Sequence, residues 1–275
     1  MVKFIILTTP RTGSTYLRLW LNNHPNIRCH GEIFLRSYNA KDGFRAFSKN
    51  KYFYNLLYGL FGNRLFSRLP GNLCVSFLLN KYFDSLYYNK NHSAPWIDTK
   101  TWNDYQIGPP DAVDKALGFK VMLNHIEEYY PLRKIFDREN YKIIILTRKN
   151  ILKSYLSSIL LKKRKVAHSV KSQKAIKVHV NPESLIKRLN KQENDNSKLN
   201  SLFTNNRAMK ITYEELFGDN ESLFSDILDF IGVASDDIKK PDLKKINPSD
   251  IKNIISNYDE IKKVLENHGY YKYLT

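Results

Sequence analysis

The sequence predicts an α/β protein built on a doubly wound parallel sheet flanked by helices. Two observations predict it. The runs KFIILT (Lys3–Thr8) and KIIILT (Lys142–Thr147) are apolar nearly throughout, as strands buried on both faces are, and each leads through a turn into a segment of helical apolar spacing. Nothing divides the 275 residues into separate units: there is no repeat and no low-complexity linker, so one domain spanning residues 1–275 is expected, long enough to bury a core without staples.

Taken in order, the first strand stops at Pro10, and beyond Gly13 the apolar residues Tyr16, Leu17, Trp20 and Leu21 recur at helical spacing. Phe44–Tyr88 is rich in Phe, Tyr and Leu with helical periodicity; it predicts packed helices over one side of the sheet, part of a helical insertion at about 44–110, or else an exposed binding or membrane surface. Ala116–Met122 reads as a strand. In the second strand–helix unit, Tyr141–Lys163, Asn150 can cap the helix. Its apolar face is Ile151, Leu152, Tyr155, Leu156, Ile159 and Leu160, which puts Ser154 and Ser157 on the opposite side. The basic stretch Lys162–Lys177, with KKRK inside it, reads as a solvated helix end or loop in preference to a targeting signal. A strand at Ala208–Thr212, an amphipathic helix at Ser222–Gly232, and a polar segment running into a helix over Ile246–Leu265 complete the chain.

Forty-four Lys and Arg against 27 Asp and Glu leave a formal charge of +17, which suits nucleic acid, an anionic membrane or a multiply charged small anion. A chain-wide preference for Lys explains the same excess. Cys29 and Cys74 are the only cysteines, far apart and outside any Cys/His cluster, so neither a disulfide nor a structural metal is expected and a reducing compartment is. No apolar run reaches the length of a transmembrane helix, and Met1–Leu7 is too short for a signal peptide; a cytoplasmic protein is the expectation.

Chemistry concentrates in two turns. Thr9-Pro-Arg-Thr-Gly-Ser-Thr15 sets a glycine, hydroxyls and a cation between a buried strand and a helix start, where backbone N–H groups and the helix dipole favour an anion. The spacing GxxxxGK[ST] is missing, which disfavours an ATP-hydrolysing loop; a plain capped turn is the other reading. Arg148 ends the second strand and Ser157 stands on the next helix, together able to hold a second phosphate.

These segments resemble those of sulfotransferases that use 3′-phosphoadenosine 5′-phosphosulfate (PAPS), in a bacterial branch of that family. TTPRTGSTYL (8–17) resembles the 5′-phosphosulfate loop and LTRKNILKSYLS (146–157) the 3′-phosphate motif. GEIF (31–34), GFKVM (118–122), ITYEEL (211–216) and ISNYDEI (255–261) extend the likeness over most of the chain. The resemblance implies a P-loop-like fold with the insertion capping the acceptor site, PAPS as sulfate donor and no metal. Arg11, Thr12, Gly13, Ser14 and Thr15 would bind the 5′-phosphosulfate, Tyr16 would stack on adenine, Arg148 and Ser157 would bind the 3′-phosphate, and Tyr213 would line the adenine pocket or serve as a core tyrosine. Ser154 is a second hydroxyl candidate at the 3′ end.

Two departures bear on the chemistry. The RKG tail motif of the animal cytosolic branch is missing, leaving Lys244, Lys245 or Asn247 to take its place, and the Lys-x-His of that branch is met by Lys120 followed by Met122. The resemblance therefore implies Glu32 as general base, with Arg11 and Lys120 as cations at the reacting centre. Against this stand a surface salt bridge of Glu32 with Arg28 or Arg36, an exposed strand-end role for Lys120, and His30 or His125 as base. The region Gly31–Pro110 would shape an acceptor site for a sugar, lipid or small-molecule hydroxyl. No nucleic-acid partner is implied, and peripheral membrane contact stays open. The rivals are a P-loop nucleotide or small-molecule kinase and an RNA-binding protein, the latter without any known binding signature.

Overall fold

The computed structural model describes residues 1–34, 79–80, 115–129, 131–164, 176–203, 207–218, 222–234, 240–241 and 250–274. Its centre is a five-stranded parallel sheet of order β2-β3-β1-β4-β5, with β1 Val2–Thr8, β2 Ile27–Glu32, β3 Ala116–Met122, β4 Lys142–Thr147 and β5 Ala208–Thr212. The apolar runs are continuous because each strand serves two cores. Ile5 and Leu7 of β1 with Ile143 and Ile145 of β4 face one side, packing on α2 (Leu123–Glu128), α3 (Pro131–Arg138) and Leu199 and Phe203. The alternating Phe4, Ile6, Ile144 and Leu146 face the other, against α1 (Ser14–Asn22) and, later in the chain, Leu223, Ile227, Leu228 and Ile231.

A third cluster lies off the sheet, where α4 (Ile151–Arg164) packs on α5 (Pro182–Leu202) and on α8 (Tyr258–Asn267). Between α5 and α8 come the single turn α6 (Tyr213–Leu216) and α7 (Leu223–Ile231), the latter closed by Gly232 at φ 74°. The expected strands and the helices at 151, 222 and 258 are all present. Two elements go beyond the expectation. β2 is short and carries Arg28, His30, Gly31 and Glu32, so it lacks the continuous apolar run that marks β1 and β4, and α5 carries Gln192 and Asp195 among its buried positions, which interrupts its apolar stripe. The insertion expected at about 44–110 lies outside the described residues except for Leu79 and Asn80; these are helical, and Leu79 is fully buried in the β1–α3 core. No helix among the described residues is long and apolar enough to cross a membrane.

The strand order positions the site. From β1 the chain departs through α1 toward β2 at one edge, whereas from β4 it goes on to β5 at the other, so the carboxyl ends of the adjacent β1 and β4 open at a topological switch point. Thr8 pairs in register with Leu146, and its hydroxyl donates to the Leu146 carbonyl at 2.7 Å, tying the starts of the two turns together.

Candidate active site

The turn after β1 closes on itself. Thr12 is fully buried, its hydroxyl 2.5 Å from that of Thr8 and donating to the Thr9 carbonyl at 3.0 Å. This hydroxyl therefore builds the turn from inside. Arg11 (φ 68°) and Gly13 (φ 83°) both take the left-handed conformation. Gly13 stands at the N-cap of α1, where no side chain supplies a capping hydrogen bond, and the buried Ser14 begins the helix. A helix start of this kind has donors and a positive dipole end to offer an anion.

At Gly13 a Cβ would lie 2.9 Å from Phe217 Cε2 and 3.0 Å from Tyr213 Cδ2, on top of the unfavourable φ. Gly13→Ala is expected to cost about 1–3 kcal/mol of stability and to weaken anion binding, read from a thermal melt and from calorimetry with 3′,5′-adenosine bisphosphate. Wild-type values in both would show that the turn relaxes freely.

The second turn folds onto the first. Arg148 Nη1 donates to the Arg11 carbonyl at 3.1 Å, Arg11 Nε donates to Ser157 Oγ at 2.9 Å, and Ser154 Oγ donates to the Pro10 carbonyl at 3.4 Å. Residues separated by more than a hundred positions thus meet over Pro10 and Arg11, as the helix-face argument for Ser154 and Ser157 requires. Burial lowers the pKa of both arginines, and for Arg11 the neighbouring Arg148 charge lowers it further. Two half-buried guanidiniums this close gain from an anion between them.

The start of α4 is differently equipped. Asn150 accepts from the Lys153 amide at 2.9 Å, as its capping role predicts, and the Glu214 carboxylate accepts from the amides of Lys149 and Asn150 at 2.9 and 3.0 Å. A carboxylate already serves these donors. The candidates for an anion at this turn are consequently side chains, Arg148 and Ser157.

An aromatic wall closes one side. The Arg148 guanidinium lies 4.0 Å from the Tyr213 ring centroid, and Phe217 sits 4.5 Å from both Tyr213 and Tyr16. Phe217 was legible only as the residue one helical turn beyond Tyr213. Gln192 was also missed: nearly buried on α5, it donates from Nε2 to Thr9 Oγ1 at 2.8 Å. Nothing in the local sequence singles it out.

Glu32 and Lys120 meet across β2 and β3. The strands pair with an irregularity between His30 and Glu32 that sets Glu32 opposite Lys120, and Nζ lies 2.8 Å from Oε1. An ion pair is among the readings of Glu32, and the structure shows one with Lys120; Arg36 lies outside the described residues. Lys120 is 7% exposed, which corrects the reading of it as an exposed strand-end lysine. In the sheet it lies beside Ile6 of β1, two positions before Thr8 pairs with Met122, so the pair approaches the crevice from the β3 side.

The histidine candidates are built into the fold. His125 Nδ1 accepts from the Met122 amide at 3.2 Å at the junction of β3 and α2, with its ring against Phe34. His30 is 3% exposed, and burial, reinforced by Arg28 and Arg18, pushes its pKa down to about 3. The folded chain keeps His30 neutral while the unfolded chain takes up a proton below about pH 6.5, so stability falls as pH drops from there toward 3. Between pH 6.5 and 4.5 this amounts to about 2–3 kcal/mol, which His30→Gln should largely remove. Urea titrations of both proteins across that range check it, and an equal slope in the variant would place the pH dependence elsewhere. Cys29 of the same strand is a free thiol whose pKa burial raises to about 12. Arg36, Cys74, Lys244, Lys245 and Asn247 lie outside the described residues.

A switch-point crevice flanked by two arginine-bearing turns defines an α/β protein with a P-loop-like fold. The chain belongs to the sulfotransferase family, whose sequence model matches residues 4–237. Among solved structures it is similar to a sulfotransferase from Alicyclobacillus acidocaldarius (13% identity, all of this chain and 94% of that one, TM-score 0.45). It is also similar to the sulfotransferase domain of the Synechococcus PCC 7002 olefin synthase (20% identity, 86% and 74% of the two chains, TM-score 0.39). The sulfotransferase domain of the curacin biosynthetic pathway gives 16% identity over 98% of each chain, TM-score 0.41. No curated protein matches.

Proposed function

We propose that this sulfotransferase moves the sulfuryl group of PAPS to a hydroxyl acceptor. The observation that carries the reading is the single hydrogen-bond network in which Arg11 of one turn meets Arg148 and Ser157 of the other. Two cationic points joined in this way suit a nucleotide with anionic groups at both its 5′ and 3′ ends. The donor supplies a sulfuryl group activated by its bond to phosphate. Arg11, with the backbone donors from Thr12 to Thr15, stabilises charge on the departing phosphate oxygen, and the dipole of α1 acts in the same direction. Arg148 and Ser157 hold the 3′-phosphate, with Ser154 beside them, and Tyr16, Phe217 and Tyr213 offer the adenine an aromatic surface.

Glu32 takes the proton of the acceptor hydroxyl as the new oxygen–sulfur bond forms. Lys120, engaged by Glu32, acts in this reading by orienting that carboxylate, and its share in neutralising the leaving oxygen is secondary. The acceptor is a sugar, lipid or small-molecule hydroxyl, and the setting is the cytoplasm. Neither the kinase reading nor the RNA-binding reading gains an observation in its favour.

The test is ligand stabilisation in the presence of a chelator. At about 100 times its dissociation constant, 3′,5′-adenosine bisphosphate should stabilise the fold by about 2.7 kcal/mol. A shift that needs magnesium, or one produced by ATP and not by the bisphosphate, would favour the kinase instead.

A further inference from the structure

We propose that Gln192 is a positioning residue for the phosphosulfate turn, holding it in place from α5; the link to catalysis rests on the sulfotransferase reading above. Along α5 the buried residues change character. Leu185 and Leu189 pack in the α4–α8 cluster and Leu199 packs under the sheet, while between them the buried positions are Gln192 and Asp195. This is where α5 passes the carboxyl ends of β1 and β4. Gln192, 4% exposed, donates to Thr9 Oγ1, and one turn further on Asn196 Nδ2 donates to the Arg148 carbonyl at 3.4 Å.

A buried amide costs desolvation that an apolar residue would avoid, so its bond to Thr9 must be made for the site to be stable. Thr9 is where the turn is anchored. Its carbonyl accepts the hydroxyl of Thr12 and its own hydroxyl accepts from Gln192, so this one residue is held from the turn and from α5. With Thr9 fixed, the left-handed Arg11 that follows two residues later points its side chain at Ser157 and its carbonyl at Arg148. Gln192 touches no reacting atom. It acts through Thr9, and α5 gives the two anion turns a common support.

Gln192→Leu and Thr9→Val, which keep approximate volume while removing donor and acceptor in turn, test this alone and combined. The first readout needs no ligand: amide hydrogen exchange over Thr9–Ser14 should speed up about tenfold in each variant with exchange in β4 unchanged. The second is calorimetry, where 3′,5′-adenosine bisphosphate and adenosine 5′-monophosphate should both bind about 3- to 10-fold more weakly, since the loss lies at the shared 5′ end. The double variant should lose no more than either single one. Unchanged exchange in the turn, or losses that add in the double variant, would overturn the proposal and leave Gln192 a packing residue. If the wild-type chain fails to bind the bisphosphate, the PAPS reading falls while the exchange measurement still decides whether Gln192 holds the turn.

Discussion

Glu32→Gln is expected to lower single-turnover sulfuryl transfer about 10²- to 10⁴-fold while affinity for 3′,5′-adenosine bisphosphate stays within a few fold. Glutamine keeps the size of the side chain and an acceptor oxygen for Lys120 Nζ, now 2.8 Å from Oε1, so geometry is largely preserved and basicity is what disappears. Because Lys120 is nearly buried and Glu32 is its ion-pair partner, the variant also loses a charge interaction, and some fall in melting temperature accompanies the loss of rate. Lys120→Met separates the two effects. In the base reading it lowers turnover less than Glu32→Gln, since the carboxylate remains but is no longer oriented. Were the pair purely structural, both variants would melt early and turn over at nearly the wild-type rate. Collapse of turnover in His30→Gln or His125→Gln with normal chemistry in Glu32→Gln would return the base to a histidine.

Arg148→Ala is expected to weaken the bisphosphate by about 1.5–3 kcal/mol, roughly 10- to 150-fold, and to weaken adenosine 5′-monophosphate much less. The asymmetry follows from the two turns being distinct sites in contact. Arg148 also holds the Arg11 carbonyl and lies over the Tyr213 ring, so part of the loss reaches the 5′ end and the adenine wall. Arg148→Lys keeps the charge without the planar fork and should recover only part of the affinity. Equal losses for the two nucleotides would take Arg148 out of the 3′ site and make it a strut of the first turn.

Much of the site was legible before the fold was known because its parts are local. A turn with glycine, hydroxyls and arginine after a buried strand, and a serine pair spaced to share one face of a helix, are properties of short segments. The strands β1 and β4 were equally clear, since a strand serving two cores must be apolar at successive positions and no helix period hides it. Asn150 as a cap likewise depends only on its own neighbours.

What the chain order cannot express is which distant side chains share a partner. Lys120 could be read as a second cation or an exposed lysine, and Glu32 as a base or a partner of Arg28 or Arg36, until the irregular pairing of β2 with β3 set one opposite the other. Phe217 becomes part of the site only because α6 packs its ring against Gly13 and Tyr16, and Glu214 only because it reaches the amides at the start of α4. Gln192 is the clearest case, a polar residue that breaks a helix pattern in the sequence and completes a turn 183 residues away along the chain. The sequence by itself determined the strands other than β2, the two turns and the cations they carry, because backbone preference and hydrophobic period act over a few residues. Tertiary structure decided the pairings, because a hydrogen bond or an ion pair depends on distances that only the order of strands in the sheet and the packing of α5 and α6 against it create.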